Sequence, residues 1–355
     1  MPEEKDTSSR KLDHLRICRE GNVEAGFSGF SDVRLVHDAL PECSLAELDT
    51  TVRFLGHRFA SPLFIAAMTG GHPDATPINR NLAAAAERAG IGMGVGSQRA
   101  ALDDPDLEDT FTVVREAAPR AFLCANLGVV QLRDHGIEWA ERAVEMIDAQ
   151  AICIHANFLQ EAVMPGGDHD ARGCLAALAG LCHEFETPVI LKETGAGISR
   201  EAAGRLWAAG VAAIDLGGLG GTSWARVECL RSPDTPEARI GSRFSDWGIP
   251  TVVSLAEVAG TGPVIATGGV RSGLDMAKAL ALGADLSGMA LPLLAPAMES
   301  EEAVMHAIEG FTRELGVAMF LSGAGTVKAM RKVRTYITGT TRQMMKKRQE
   351  IPNGN

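Results

Sequence analysis

Eight short apolar runs alternate with segments of helical composition along this 355-residue chain, and the alternation predicts a (β/α)₈ barrel. Glycine and polar residues follow the runs at their carboxyl ends, the end at which barrels of this kind gather their functional groups. The length suits one such domain. The runs occupy residues 63–68, 91–95, 121–125, 151–154, 189–191, 211–216, 264–266 and 284–290.

Segments outside the runs extend the barrel at both ends. Residues 50–60 alternate around a glycine and predict a small hairpin ahead of the first run. Residues 300–317 and 324–334 have the composition of closing amphipathic helices. The expected boundaries are 1–61 for an N-terminal extension belonging to the same domain, 62–335 for the barrel, and 336–355 for a disordered tail.

A longer piece, residues 223–250, separates the sixth and seventh runs. It contains Trp224, Trp247 and several charges. Loops of this length in a compact domain often form lids or substrate walls, and extra helices at subunit interfaces are the alternative. The sequence leaves both interpretations open.

Charge and composition narrow the class of partner. Lys plus Arg number 34 and Asp plus Glu 45, which gives a net charge of −11 and predicts no binding to nucleic acid or anionic membrane. No apolar run approaches the length of a membrane span, and the start shows no hydrophobic signal core, so a cytoplasmic protein is expected. The seven cysteines form no Cys-x-x-Cys pair and are expected to be reduced thiols.

Residues 151–161 indicate where the chemistry lies. The stretch begins as a buried strand and ends with His155, Asn157, Gln160 and Glu161. A parallel strand that is buried on both faces has no use for polar groups in its middle, so polar groups crowding its carboxyl end suggest a site. A strand turning into a solvated loop is the alternative, but the same pattern recurs after the other runs.

Two glycine-rich turns are candidates for binding a phosphate. Residues 267–273 follow the seventh run and precede a helical segment, so glycine amides, a helix amino terminus and Arg271 converge there. Residues 217–223 supply a second turn with hydroxyl groups. A tight strand-to-helix turn needs the same glycines without any ligand, but barrels frequently bind phosphate after strands seven and eight.

Flavin mononucleotide (FMN) would unite these features, with its phosphate at the last loops and its ring over the first five strands. Lys192 is placed to reach the electron-rich edge of the ring, where a cation favours the anionic reduced form. Lys192 pairing with Glu193 or Asp215 is the structural alternative. Asn126, Ser97 and the backbone of residues 67–69 are placed to bind the polar edge.

Ten motifs stand out along the chain: Arg10-Lys11-x-x-His14, Met68-Thr69-Gly70-Gly71, Gly96-Ser97-Gln98-Arg99, Asn126-Leu127-Gly128, His155-x-Asn157-x-x-Gln160-Glu161, Gly167-Asp168, Lys192-Glu193, Gly220-Gly221-Thr222-Ser223-Trp224, Trp247-Gly248-Ile249-Pro250-Thr251 and Gly268-Gly269-Val270-Arg271-Ser272-Gly273. Taken together, they resemble those of the type 2 isopentenyl diphosphate isomerases, the FMN-dependent family, from about residue 10 to about residue 334.

The resemblance implies interconversion of isopentenyl and dimethylallyl diphosphates, with FMN kept reduced by NADPH and Mg²⁺ on the diphosphate. It implies catalytic roles for Gln160, His155 and Lys192, and Mg²⁺ binding by Glu161. The implied substrate-binding residues are Arg10, Lys11, His14, Ser97, Gln98, Arg99, His155, Asn157 and Gln160. The implied FMN-binding residues are Ala67, Met68, Thr69, Ser97, Asn126, Lys192, Gly217, Thr222, Gly269, Val270, Arg271, Ala290 and Leu291. A homo-oligomer is expected, with the subunit number open.

The chemistry fits this choice of cofactor. Moving a double bond along an unactivated alkene requires a well-placed acid and base, and the predicted pocket offers few side chains for that work. The hypothesis is that reduced flavin acts as the acid and base without net redox change. Two rivals remain: an FMN-dependent 2-hydroxy acid oxidase or dehydrogenase, and a flavin-binding scaffold without turnover. The oxidase usually needs a late histidine, and none lies between His183 and His306.

Overall fold

The structure, a computed structural model, describes the backbone of residues 7–350 and the side chains of residues 10–347. Within that range eight parallel strands close into a barrel, and helices follow each strand on the outside, which confirms the predicted (β/α)₈ fold. The strands are β1 (Val33–Leu35), β2 (Val52–Phe54), β3 (His57–Phe59), β4 (Leu63–Ile65), β5 (Gly92–Gly94), β6 (Leu123–Gly128), β7 (Ala151–Ala156), β8 (Val189–Glu193), β9 (Ala213–Asp215), β10 (Val264–Ala266), β11 (Leu286–Met289) and β12 (Thr335–Ile337).

The barrel consists of β4 to β11 in chain order, and β11 pairs with β4 to close it. The surrounding and flanking helices are α1 (Thr7–Glu20), α2 (Ala75–Ala89), α3 (Arg99–Asp103), α4 (Asp109–Ala117), α5 (Val129–His135), α6 (Ile137–Ile147), α7 (Phe158–Val163), α8 (Cys174–Glu184), α9 (Arg200–Ala208), α10 (Trp224–Arg231), α11 (Pro236–Arg243), α12 (Thr251–Val258), α13 (Gly273–Ala281), α14 (Leu291–Glu299), α15 (Glu301–Leu321), α16 (Val327–Met330) and α17 (Gly339–Glu350). None of the helices described is long and apolar enough to cross a membrane.

The predicted hairpin closes the amino-terminal end of the barrel. Strands β2 and β3 pair antiparallel, and Phe54 and Phe59 join the apolar cluster that fills the barrel interior. The rings of Phe59 and Phe122 meet edge to face with their centroids 5.3 Å apart. Because aromatic side chains seal this end, the polar groups of the barrel collect at the opposite, carboxyl-terminal end.

The N-terminal extension crosses the carboxyl-terminal end of the barrel. Helix α1 packs against α10 and α14. Further along, the amide of Ser223 donates to the carbonyl of Val23 at 2.9 Å, and buried Lys278 donates from Nζ to the carbonyl of Phe30 at 2.8 Å. These contacts fix the N-terminal extension over the carboxyl-terminal end of the barrel.

The prediction of a disordered tail from residue 336 was wrong for residues 336–350. Strand β12 pairs antiparallel with β1, and α17 follows it. A carboxylate oxygen of Asp32 accepts from the amide of Thr341 at 2.9 Å and so caps the first turn of α17. The basic residues near the chain end favour a solvated, disordered tail. The partner of β12 is β1, at the other end of the chain, so the local sequence does not reveal the pairing. Residues 351–355 lie outside the described part.

The segment between the sixth and seventh barrel strands, residues 223–250, is helical. Helix α10 lies against α1 and α7, and its first residue, Trp224, reaches the cavity described below. The other end of the segment carries exposed Phe244 and Trp247, whose rings are in tilted contact at 5.6 Å. The segment thus forms a wall of the cavity, while its role at a subunit interface stays a prediction.

Candidate active site

A large cavity opens at the carboxyl ends of the barrel strands, and residues at or after the end of each of the eight strands line it. It holds about 1700 Å³ of empty space with its open mouth included. Helix α1 and the segment that starts α10 complete its walls. The lining residues are Arg10, Lys11, His14, Leu15, Cys18, Ala66, Ala67, Met68, Thr69, Gly96, Ser97, Arg99, Asn126, Gln131, His155, Asn157, Gln160, Glu161, Met164, Lys192, Thr194, Gly195, Gly217, Gly218, Gly221, Thr222, Trp224, Thr267, Gly268, Gly269, Arg271, Gly288, Ala290, Leu291 and Leu294.

The cavity contains the predicted site residues with two exceptions, Gln98 and Val270. Gln98 is fully buried behind the wall, where its Oε1 accepts from the amide of Asn126 and its Nε2 donates to the carbonyl of Ala143, both at 2.8 Å. The side chain of Gln98 thus supports the backbone of β6, and the contact of this residue with substrate stays a prediction. Val270 is also fully buried and packs in the hydrophobic core.

His155 is held in one tautomer. The side-chain nitrogen Nδ2 of Asn126 donates to the carbonyl of Val95 at 2.9 Å. Asn126 Oδ1 is therefore left to accept from His155 Nδ1–H at 2.7 Å. Burial, followed by the positive charges of Lys11 and Lys192, lowers the pKa of His155 to about 3. The imidazole is therefore neutral near pH 7, and its Nε2 is left as an acceptor.

Three cations gather at one side of the cavity, two from α1 and one from α3. They are Arg10, Lys11 and Arg99. Loss of solvent, followed by repulsion from the two arginines, lowers the pKa of Lys11 to about 8. Arg99 lies 3.6 Å from carboxylate oxygens of both Asp103 and Asp168. A cluster of cations that depresses its own lysine pKa is the expected arrangement around a site for a multiply charged anion.

The Glu161 carboxylate lies in the same cavity and is fixed at both oxygens. Asn157, one helical turn earlier, donates from Nδ2 to Oε1 at 2.8 Å, and the amide of Asp168 donates to Oε2 at 2.8 Å. Among residues 7–350, no three His, Cys, Asp or Glu side chains cluster as a metal cage. A metal ion at Glu161 would therefore have to complete its coordination with ligand oxygens and water, which is how Mg²⁺ is usually bound beside phosphates.

Sequence reasoning missed Glu228, a buried carboxylate of α10. Its Oε1 meets His14 Nε2 at 2.9 Å and accepts from Gln160 Nε2 at 2.8 Å, and its Oε2 accepts from Arg231 Nε at 2.6 Å. Burial alone would raise the pKa of Glu228, but the hydrogen bond and charge of His14 and the charge of Arg231 lower it to about 2. Glu228 therefore joins α1, α7 and α10. A lone acid between Val227 and Cys229 was the available signal.

Lys192 forms an ion pair with Asp215, one of the two structural alternatives, and also lines the cavity. Its Nζ lies 3.1 Å from a carboxylate oxygen of Asp215. Glu193, the other proposed partner, turns into the loop after β8 and accepts from the amides of Gly195 and Gly197 at 2.8 and 3.1 Å. Burial raises the pKa of Glu193 to about 7.

The two glycine-rich turns touch each other backbone to backbone. A Cβ on Gly221 would lie 2.6 Å from the amide nitrogen of Gly269, and Gly269 itself has φ +70°, so both positions require glycine. Arg271 stands at the rim, where its Nε donates to Glu24 at 2.7 Å. Gly221 and Gly269 line the cavity a few residues ahead of α10 and α13, an arrangement suited to a phosphate.

Apolar groups form the remaining wall, next to the cations. They include Leu15 and Cys18 of α1, Met164, Leu294 of α14 and Trp224, whose ring meets His14 edge to face at 5.1 Å. Burial raises the pKa of the Cys18 thiol to about 12, so the thiol is protonated and unreactive. All seven cysteines are free, as the sequence predicted. The cavity thus combines a polar anion site with an apolar pocket.

Comparisons with known proteins agree with this geometry. The profile described as FMN-dependent dehydrogenase matches residues 18–154 and 130–336. Among solved structures, a mandelate oxidase with an FMN adduct superposes with a TM-score of 0.65 at 20% identity, covering 92% of this chain and all of the other, which is a likeness of fold. The chain therefore belongs to the FMN-dependent dehydrogenase family of barrels.

Two curated relatives place the chain more closely. The isopentenyl-diphosphate delta-isomerase of Methanoregula boonei is 64% identical over 346 residues, or 96% of each chain. That of Archaeoglobus fulgidus is 52% identical over 337 residues, covering 95% of this chain and 98% of the relative. Within the larger family the chain is thus a member of the isopentenyl-diphosphate delta-isomerases, which confirms the resemblance drawn from the motifs.

The ionised form of Glu228 should stabilise the fold. Because its pKa of about 2 lies below that of an unfolded glutamate, this stabilisation is present above about pH 4.3 and is lost as pH falls toward about 2. We expect Glu228→Gln to lower the free energy of unfolding near pH 7 and to flatten its decline in acid, measured by urea denaturation at several pH values. Glu20→Gln, at an exposed pair with Arg16, is the control and should change neither. Parallel curves for wild type and Glu228→Gln would contradict the assignment.

Proposed function

We propose that the protein interconverts isopentenyl diphosphate and dimethylallyl diphosphate, using bound FMN kept reduced by NADPH, and Mg²⁺. The observation that carries the proposal is that one cavity is lined by two separate groups of residues, each suited to an anion. One is the glycine cradle at Gly221 and Gly269, and the other combines Arg10, Lys11 and Arg99 with the Glu161 carboxylate. The relatives named as isomerases support it.

FMN fits the residues that are present. The cradle would take its phosphate, because Gly221 and Gly269 line the cavity without a side chain that would keep an anion from the backbone. Lys192 would lie beside the ring, and the backbone near Met68 and Thr69 would bind the ring edge. When bound and reduced, FMN supplies ring nitrogens that donate and accept protons without net redox change.

The chain itself offers few groups that transfer protons. Gln160 is an amide whose Nε2 is engaged by Glu228 and whose Oε1 lies 3.3 Å from Asn157 Nδ2. Glu228 is anionic and is paired with His14 and Arg231. These contacts orient Gln160 toward the cavity and hold α1 in place. We therefore assign Glu228 a positioning role.

The diphosphate would bind between the cations and Glu161. Glu161 would provide the single carboxylate that Mg²⁺ needs beside phosphate oxygens and water. Lys11 and His155 have lowered pKa values in the protein alone, and an approaching diphosphate would raise both. The site thus gains positive charge when its ligand arrives.

The hydrocarbon end of the substrate would lie against the apolar wall. Trp224 presents an aromatic ring to the cavity beside Leu15 and Met164. An aromatic face stabilises neighbouring positive charge, such as that developing when an alkene is protonated. Helices α1 and α10 pack against each other on this side and would limit the access of water.

A direct assay tests the function. The purified protein should be yellow and, under anaerobic conditions with Mg²⁺ and a small amount of NADPH, should convert isopentenyl diphosphate to its dimethylallyl isomer without stoichiometric NADPH oxidation. Reconstitution with 5-deazaFMN, which lacks the reactive ring nitrogen, should abolish turnover. Oxidation of 2-hydroxy acids by the yellow protein would instead support an oxidase, and FMN binding without either reaction would support a scaffold.

Arg99→Ala should raise KM for the diphosphate by about tenfold to about a hundredfold, since a charge-assisted contact to an anion is lost. The effect is measured by steady-state kinetics with Mg²⁺ in excess. Arg120→Ala removes an arginine that pairs with Glu87 at 2.8 Å outside the cavity, and its KM should match wild type. An unchanged KM in Arg99→Ala would remove Arg99 from the substrate site.

Substrate binding should take up protons near pH 8. Because the pKa of Lys11 is about 8, roughly half of its ammonium is neutral there and would be protonated when the diphosphate binds. Calorimetry of isopentenyl diphosphate binding to the oxidised protein, in two buffers of different ionisation enthalpy, measures the uptake. Lys11→Arg is always charged and should bind with less uptake. Equal uptake in both proteins would show that Lys11 is not the group.

The homo-oligomeric state, the cytoplasmic location and the reduction of FMN by NADPH are predictions from the sequence and the resemblance, and the sequence leaves open which nicotinamide reduces the flavin best.

A further inference from the structure

Three polar side chains at the carboxyl ends of the neighbouring strands β8, β9 and β10 form one hydrogen-bonded network at the base of the cavity. Lys192 of β8 lies 3.1 Å from an oxygen of Asp215, the last residue of β9. The other Asp215 oxygen accepts from the hydroxyl of Thr267, which follows β10. Thr267 Oγ1 in turn accepts from the amide of Gly217 at 2.8 Å. The network therefore runs from a cavity cation to the start of a phosphate-binding turn.

Asp215 differs from its two partners in where it lies. Lys192 and Thr267 line the cavity, whereas Asp215 is 3% exposed and lies behind them. A buried carboxylate is unfavourable unless it is paired and hydrogen-bonded, and two apolar side chains would fill the same space at least as favourably. The placement is explained if the charge of Lys192 is needed at the cavity surface.

The surroundings of Lys192 leave Asp215 as its main support. Burial by itself would lower the pKa of Lys192, but the charge and hydrogen bond of Asp215, together with Cys153 and Glu193, raise it above the ordinary value. Cys153 and Glu193 also face the ammonium, with smaller effects in the same direction. His155 on β7 is neutral, and the charge of Lys192 helps to keep it so.

We propose that Asp215 is a positioning residue of the cofactor site, which with Thr267 holds Lys192 as a fixed positive charge against the flavin ring. The inference rests on FMN binding in the proposed function. It extends that function by assigning a role to a residue that contacts neither cofactor nor substrate.

The test compares wild type with Asp215→Asn, which keeps the shape of the side chain but removes its charge. Buried Lys192 should then lose its proton between about pH 7 and about pH 9, below the ordinary lysine value of about 10.4. Loss of the Lys192 charge disfavours the anionic reduced flavin, so the midpoint potential of bound FMN should show an extra drop, or step, between these pH values in Asp215→Asn. Wild type should show no such drop. Potentials are measured with reference dyes at each pH.

Two further variants assign the step. In the double variant Asp215→Asn/Lys192→Met the step should disappear. In Asp285→Asn the pH dependence should match wild type, because Asp285 pairs with Arg331 at 2.8 Å at the amino-terminal end of β11. A step that persists without Lys192, or a wild-type curve in Asp215→Asn, would overturn the proposal.

Stability of the FMN-free protein gives an independent readout. If Asp215 and Lys192 are coupled, Asp215→Asn and Lys192→Met should each lower the melting temperature more than the double variant does. A single variant that fails to fold while the double variant folds would show the same coupling. Additive effects would show no coupling and would overturn the inference. If wild type bound no FMN while the stability cycle showed coupling, the proposed function would fail and Asp215 would be left with a structural role alone.

Discussion

The closure of eight parallel strands constrains everything else in this molecule. Parallel strands direct all their carboxyl ends to one face, and the aromatic hairpin side chains Phe54 and Phe59 seal the other. Polar groups that end the strands therefore meet in one place whatever their separation in sequence. His155 and Lys192, on adjacent strands in register, and Gly269, after β10, become walls of one cavity for this reason.

Buried charge in this cavity is of two kinds. Glu228 and Asp215 are carboxylates with cationic partners already in contact, so their charges are balanced within the protein. Lys11 has the opposite situation, because burial and the neighbouring Arg10 and Arg99 lower its pKa to about 8. Balanced pairs give fixed geometry, while unbalanced cations give affinity for an incoming anion. Fixed ion pairs therefore lie beneath Lys192 and between α1 and α10, while the ligand-dependent charge is that of Lys11.

The sequence predicted the barrel, its strands and most of the cavity because these features repeat locally: an apolar run followed by glycine or polar residues. It could not predict that Gln98 faces away from the cavity, since a residue between Ser97 and Arg99 in a conspicuous motif gives no local sign of its orientation. Strand β12 was missed for a related reason, because its partner β1 is distant in the chain. Long-range pairing is what local patterns do not encode.

Glu228 shows how a binding site and its cover can depend on one group. Its carboxylate receives His14 from α1 and Gln160 from α7 while it belongs to α10, so three separately encoded segments meet at one buried charge. If that charge were absent, His14 and Gln160 would lose a shared acceptor in a region that water reaches poorly, and each would need a new partner. The orientation of the substrate wall and the seating of the N-terminal helix are thus coupled electrostatically. A barrel with the same strands but an apolar residue at this position would keep its fold while losing this polar link between α1, α7 and α10.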